Sequence, residues 1–195
     1  IEPQKVETYR SSYQGTRTAL VVGNFDNRSN YLQGMFSADN NRLGNQAQTI
    51  LKTHLQQTNR FNVVDRQSMA DLKQEANLSG VKQQIQGARY VVTGDVTEFG
   101  RKVTGDKQLF GILGKGKTQT AYAKVSLNIV DVVTSQIVYS TQGAGEYELS
   151  NREIVGFGGA AGYDATLNSK VLNFAIMDAV NNLITDIQNG IWNIE

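Results

Sequence analysis

The chain has 195 residues, enough for one domain with a real core. Hydrophobic residues make up 39% and charged residues only 19%, below the roughly one quarter usual in soluble domains; uncharged Asn, Gln, Ser and Thr take up the difference. The net charge of +1 excludes a global electrostatic pull on nucleic acid, and the absence of cysteine excludes disulfides and thiolate metal sites. No run of about eighteen apolar residues is present, which excludes a transmembrane helix but not membrane β-strands, whose signal is weaker. Because the chain begins at Ile1 and not Met, it reads as a processed or trimmed form, which a signal peptide or lipidated cysteine could have preceded.

Residues 1–17 carry no periodicity and hold the lone proline, Pro3; they read as an extended arm, either loose or strapped onto a neighbouring subunit. Thr18–Phe25 is apolar enough for a central strand. Asp26–Asn41 is a long polar loop with Tyr31, Met35 and Phe36 in it, and exposed aromatics in such a loop point to a contact surface. Leu43–Thr58 is an amphipathic helix with Leu43, Ala47, Ile50, Leu51, His54 and Leu55 on one stripe. His54 is the single histidine, and without a Cys or second His beside it a packing role is expected, not a ligand. Phe61–Asp65 is a short strand. Ser68 is placed to cap a helix over Met69–Ala76, with Met69, Leu72 and Ala76 turned inward.

Tyr90–Phe99 is the next strand. Gln119–Val133 alternates strictly: Ala121, Ala123, Val125, Leu127 and Ile129 share one face, and Tyr122, Lys124, Ser126 and Asn128 the other. Asp131 and Thr134–Gln136 supply turn chemistry, and Ile137–Thr141 returns as a hairpin strand. Leu167–Asn189 is the longest helix, stopped by Gly190, after which Trp192 is placed to clamp the tail on the core. The order strand, helix, strand, helix, three strands, helix predicts an α+β fold with helices packed on a mixed β-sheet.

Two glycine-rich excursions interrupt this plan, at residues 100–118 and 143–163. The second climbs from Ile154 to Tyr163 with Val155, Phe157, Ala161 and Tyr163 on one side and small residues on the other. A membrane-spanning strand needs about 9–11 residues with one apolar face, which this arm meets. The first excursion has a smaller apolar payload, including Val103, Phe110 and Ile112, among several lysines. Two such β-hairpins cannot close a barrel alone, but a ring of subunits could close a transmembrane one; otherwise both are surface hairpins or loops of a soluble protein.

Signatures of catalysis are missing. Glu146 and Glu148 share a strand face about 7 Å apart, but nothing in the sequence separates their acidities, so a solvated face is expected and not an acid–base pair. Gly111–Lys117 lacks the Ser/Thr ending and the following helix that a phosphate cradle requires. No catalytic, cofactor or metal residues are predicted.

Asn59–Lys73, Tyr90–Phe99, Phe110–Ile112, Thr118–Tyr122, Val125–Ile137 and Gly190–Trp192, taken in order and with their spacing, resemble the curli production assembly/transport component family, CsgG. The resemblance covers about Thr18 to Trp192, so a CsgG-like α/β domain over 18–192 follows the N-terminal arm. It implies a lipid-anchored outer-membrane protein with a periplasmic domain, assembled as a homo-oligomeric ring that is nonameric in the curli channel. Paired hairpins there form a composite β-barrel through which unfolded amyloid subunits pass, with secreted subunits and periplasmic accessory proteins as partners. It also implies a constriction loop after the first strand, where Phe36 and Asn40 match by type and Asn41 stands in place of a Phe. The membrane-facing residues would be Phe110, Ile112, Val155, Phe157, Ala161 and Tyr163. The charges in the hairpins favour an alternative: a soluble periplasmic lipoprotein of the same fold, acting as an adaptor or as an activator of a cell-envelope enzyme.

Overall fold

The computed structural model describes residues 12–29, 42–105, 117–149 and 160–194. The elements follow in the order β1 (Thr18–Asn27), α1 (Arg42–Gln57), β2 (Phe61–Val63), α2 (Met69–Leu78), β3 (Tyr90–Gly105), β4 (Lys117–Asp131), β5 (Ile137–Leu149) and α3 (Ala160–Gln188). The strands form one sheet in the order β2-β1-β3-β4-β5. β1 is parallel to β2 and β3, and the β3–β4 and β4–β5 pairs are antiparallel. The sheet is open, with β2 and β5 as its edges, and the described residues contain no closed barrel.

Alternation explains which face is covered. The even positions Leu20 and Val22, with Phe25 beyond the register shift, join Val92, Val96, Val125, Leu127 and Ile129 on the helix side, all at most 5% exposed. α1 covers β1 with Leu43, Ala47, Leu51 and Leu55. α3 covers β4 and β5 with Leu172, Ala175, Ile176, Ala179 and Leu183, and also packs on α1. Each fully buried Leu or Ile contributes about 1.5–3 kcal/mol by leaving water. His54 joins this core as a packing residue: it is buried, and its Nε2 lies 2.7 Å from Asn173 Oδ1, linking α1 to α3.

α3 approaches β5 unusually closely. A Cβ on Gly143 would sit 2.2 Å from the Ala175 carbonyl oxygen and 2.4 Å from the Ala179 nitrogen. On Gly145 it would sit 2.6 Å from the Ala175 nitrogen and 2.7 Å from the Val171 oxygen. Glycines that read as a loop signal are therefore strand residues whose missing side chains admit a helix backbone. α3 also closes the free edge of β5. Asp178 Oδ2 accepts from the Ala144 N–H at 2.9 Å, and Asn182 Nδ2 donates to the Gln142 carbonyl at 2.8 Å. At the far end Gly190 takes φ +72°, and the N–H groups of Gly190 and Ile191 return to the carbonyls of Ile187 and Asp186, a C-cap that needs glycine. Trp192 then stacks on Tyr139 and meets Tyr90 edge-on, each at 5.5 Å between centroids.

Three expectations are corrected. β5 continues eight residues past Thr141, to Leu149, because its pairing with β4 persists to Gln119↔Leu149. α3 begins at Ala160, so Ala161 and Tyr163 lie on a helix and not on an ascending strand; an apolar-small alternation is equally compatible with a helix when no strand partner is present. α2 buries none of its residues: Met69 and Leu72 are 37% and 49% exposed, although they fall on one stripe. Ser68 stands at its N-cap position without a side-chain cap bond; Asp65 Oδ1 instead accepts from the N–H groups of Gln67 and Ser68.

Candidate functional site at the projecting end of the sheet

β1 pairs with β3 only as far as Asn27↔Val96, whereas β3 and β4 stay paired to Gly105↔Lys117. Beyond Val96 three strands therefore continue as an arm, and β3 runs about 30 Å past its last partner on β1 at strand rise. A bulge marks the departure: the register shifts between Val96 and Glu98, and the Thr97 hydroxyl donates to the Lys124 carbonyl at 3.2 Å. Bulges bend and twist the strand that carries them, so the arm leaves at an angle set at this point.

The two faces of the arm differ. On the open face, rows across the strands pair Glu98 with Lys124, Gly100 with Tyr122 and Lys102 with Thr120 on β3–β4, and Tyr122 with Glu146 and Thr120 with Glu148 on β4–β5. Lys124 Nζ lies 3.2 Å from the Glu98 carboxylate, both about half exposed. Lys102 Nζ stands 4.5 Å from the Tyr122 ring centroid, within cation–π range. Glu146 and Glu148 are exposed beside these groups. The surface is thus a mosaic of both charges around one aromatic ring.

On the other face Ala121 and Ala123 are buried, Phe99 and Tyr147 pack against the core, and Lys170 of α3 lies 3.7 Å from the Tyr147 ring centroid. α3 runs antiparallel to β5, since Gly145 meets Val171 and Tyr139 meets Asp186. Its start at Ala160 lies ten residues before Lys170, about 15 Å nearer the arm's end at helical rise. A helix, and not an open apolar surface, accompanies this side.

The chain leaves the described residues after Ser29, after Gly105 and after Leu149. β1 and β3 are parallel and β5 is antiparallel to β4, so all three departures point toward the same end of the sheet. The sequence-predicted residues Phe36, Asn40, Asn41, Phe110, Ile112, Val155 and Phe157 lie outside the described residues. Of the groups brought together here, Tyr122 and Lys124 were placed on one strand face from sequence, but their meeting with Glu98 and Lys102 was not foreseen. Their signal is a shared parity on paired strands, which becomes visible only once the register is known. No group of three or more His, Asp or Glu suited to a metal occurs among the described residues, and no helix among them is long and apolar enough to cross a membrane.

Residues 6–194 match the family model described as curli production assembly/transport component CsgG. A protein of Neisseria meningitidis serogroup B named "Putative lipoprotein NMB1126/NMB1164" is 63% identical over 192 residues, covering 98% of this chain and 86% of its own. Among solved structures, the PelC dodecamer of Paraburkholderia phytofirmans is 16% identical, covers 84% of this chain and 86% of its own, and has a TM-score of 0.40. Lipoprotein GNA1162 of Neisseria meningitidis is 14% identical, with coverages of 88% and 99% and a TM-score of 0.38. At these identities and scores the structural likenesses carry no argument about function.

Proposed function

The chain belongs to the curli production assembly/transport component (CsgG) family, and on that premise we propose that it is a non-enzymatic, outer-membrane-anchored lipoprotein whose folded domain stands in the periplasm and serves as an adaptor, docking envelope partners through its charged arm. The observation that carries this reading is the arm's surface. Its open face bears Glu98, Lys102, Lys124, Glu146 and Glu148, and its opposite face runs beside α3. A membrane strand must show lipid an apolar face, and a Lys near the bilayer midplane costs about 2–4 kcal/mol there. Neither face of the described arm meets that demand. The lipoprotein name of the 63% identical relative supports the anchoring.

A second reading, a subunit of a ring-shaped outer-membrane channel that exports unfolded curli-like subunits, is favoured by one observation. The three departures of the chain share one end of the sheet, where a constriction and barrel hairpins would have to begin. The two readings separate in planar bilayers. Full-length lipidated protein, shown by flotation to be incorporated, is expected to leave the membrane silent while Phe157→Asp leaves its incorporation unchanged. Stable conductance steps of uniform size, abolished by Phe157→Asp, would overturn the adaptor reading in favour of the channel.

A further inference from the structure

β1 opens under a clamp. Tyr13 lies across the Arg60 guanidinium, with Cζ 4.2 Å from the ring centroid, and its hydroxyl donates to the Thr16 carbonyl at 3.2 Å. The chain folds tightly to allow this: a Cβ on Gly15 would stand 2.2 Å from the Tyr13 hydroxyl oxygen. Arg17 Nη2 then donates to Asn59 Oδ1 at 3.2 Å, and the Thr18 N–H to the Arg60 carbonyl at 3.0 Å. Asn59 holds φ +59° at the turn between α1 and β2, a conformation that asparagine accepts more readily than most residues. Residues 13–18 are thus fixed to the corner where α1 passes into β2.

That corner lies at one end of the sheet. Thr18 faces Phe61 and Leu20 faces Tyr90, so β1, β2 and β3 all start there. The β4–β5 turn returns to the same end, since Tyr90 faces Asp131, and Trp192 closes it against Tyr90 and Tyr139. The arm leaves from the other end. Gly105, its last residue on β3, stands about 50 Å from Thr18 along the strands at strand rise. The polypeptide enters the fold at one pole and presents the surface around Glu98, Lys102 and Tyr122 toward the other.

We infer that the clamp makes the corner of Tyr13 and Arg60 the membrane-facing pole of the anchored protein, so that the arm meets its partner on the side remote from the lipid. This orientation rests on the adaptor reading above, in which the chain ahead of Tyr13 carries the anchor. A pull from that direction arrives at the start of β1. It runs along the strands and is borne by β2 and β3 together, because β1 lies between them and parallel to both. The arm then spans the distance from the anchored pole to a partner held deeper in the periplasm.

The test uses full-length lipidated protein with one dye at a time, on Val133→Cys in the β4–β5 turn or on Glu148→Cys near the arm's end; the 195 residues hold no other cysteine. Phosphatidylcholine vesicles containing a headgroup-labelled acceptor lipid receive it through its anchor, with flotation to confirm retention and circular dichroism to confirm folding. Energy transfer to the membrane is expected to be severalfold stronger from position 133 than from position 148. Tyr13→Ala and Gly15→Ala, which each unseat the ring from Arg60, should bring the two values together. Equal transfer in the wild-type background, or stronger transfer from position 148, would overturn the inference, as would clamp variants that keep the full difference. Stronger transfer from position 148 with a silent planar bilayer would overturn the orientation and leave the adaptor reading standing; the same result with uniform conductance steps would overturn both.

Discussion

Replacing Gly143 with alanine adds one methyl group where the helix backbone already stands. The new Cβ would lie 2.2 Å from the Ala175 carbonyl oxygen, against an ordinary C···O approach of about 3.3 Å, so α3 must retreat by about 1 Å. Neither wall yields locally: one is helix backbone, and the other is a strand paired to β4 along its length. A gap of that size forfeits a quarter to a half of each dispersion contact it opens, here beneath the fully buried Leu172, Ala175, Ile176 and Ala179. Overpacking ordinarily costs 1–3 kcal/mol, and the rigid walls place this site at the upper end, about 3 kcal/mol. For a chain of this size that corresponds to a melting temperature lower by roughly 6–12 °C. Thermal unfolding by circular dichroism reads it. The sign is informative, because Gly→Ala inside a strand ordinarily stabilises by about 0.5–1 kcal/mol. Gly100→Ala is the control: its Cβ would meet the tip of the Tyr122 side chain at 3.1 Å, which can swing away. Ala179→Gly should not rescue Gly143→Ala, since the closest contacts are backbone atoms. A Gly143→Ala protein melting within a degree of wild type would refute the close-packed seam.

Burial, reinforced by the Asp186 carboxylate that accepts from its hydroxyl, pushes Tyr139 up to about 12 from 10.0. The folded state therefore holds this proton more tightly than the unfolded chain, so its stabilisation is complete below about pH 10 and is lost as pH rises through about 12. Tyr139→Phe should flatten that alkaline decline in urea titrations; an unchanged decline would show that another group causes it. Asp178→Ala with Asn182→Ala removes both side chains that occupy the β5 edge, at about 1 kcal/mol for each hydrogen bond. The double variant should remain folded by far-ultraviolet circular dichroism yet scatter light within hours at concentrations where wild type stays clear. Clear solutions of the double variant would mean that the edge is guarded by something else.

Much of the fold was legible because two signals agree. The period-two run from Ala121 to Ile129 and the stripe from Leu43 to Leu55 each have a buried face, and both are found on the helix side of the sheet. Asp131 reads as turn chemistry and behaves so, accepting from the Val133 N–H at 2.8 Å. The misreadings fall where one local pattern has two tertiary meanings. Gly143 and Gly145 look like a loop, but glycine is also what a strand needs beneath a close helix. Ala160–Tyr163 alternates like a strand, yet without a partner strand its alanines suit the first turn of α3. Met69 and Leu72 look inward on any helical wheel, although none of the described residues buries them. The arm's charged rows required the register of three strands, which no single stretch of sequence contains.

The last helix has a consequence for the order of events during synthesis. α3 supplies the layer over β4 and β5 and braces α1, and Trp192 closes the end, so the core draws on the final thirty-odd residues of the sequence. A nascent chain stopped anywhere before them holds a sheet with bare Leu127 and Ile129 and no stable place to bury them. Burial of that face therefore waits until α3 and Trp192 have been made.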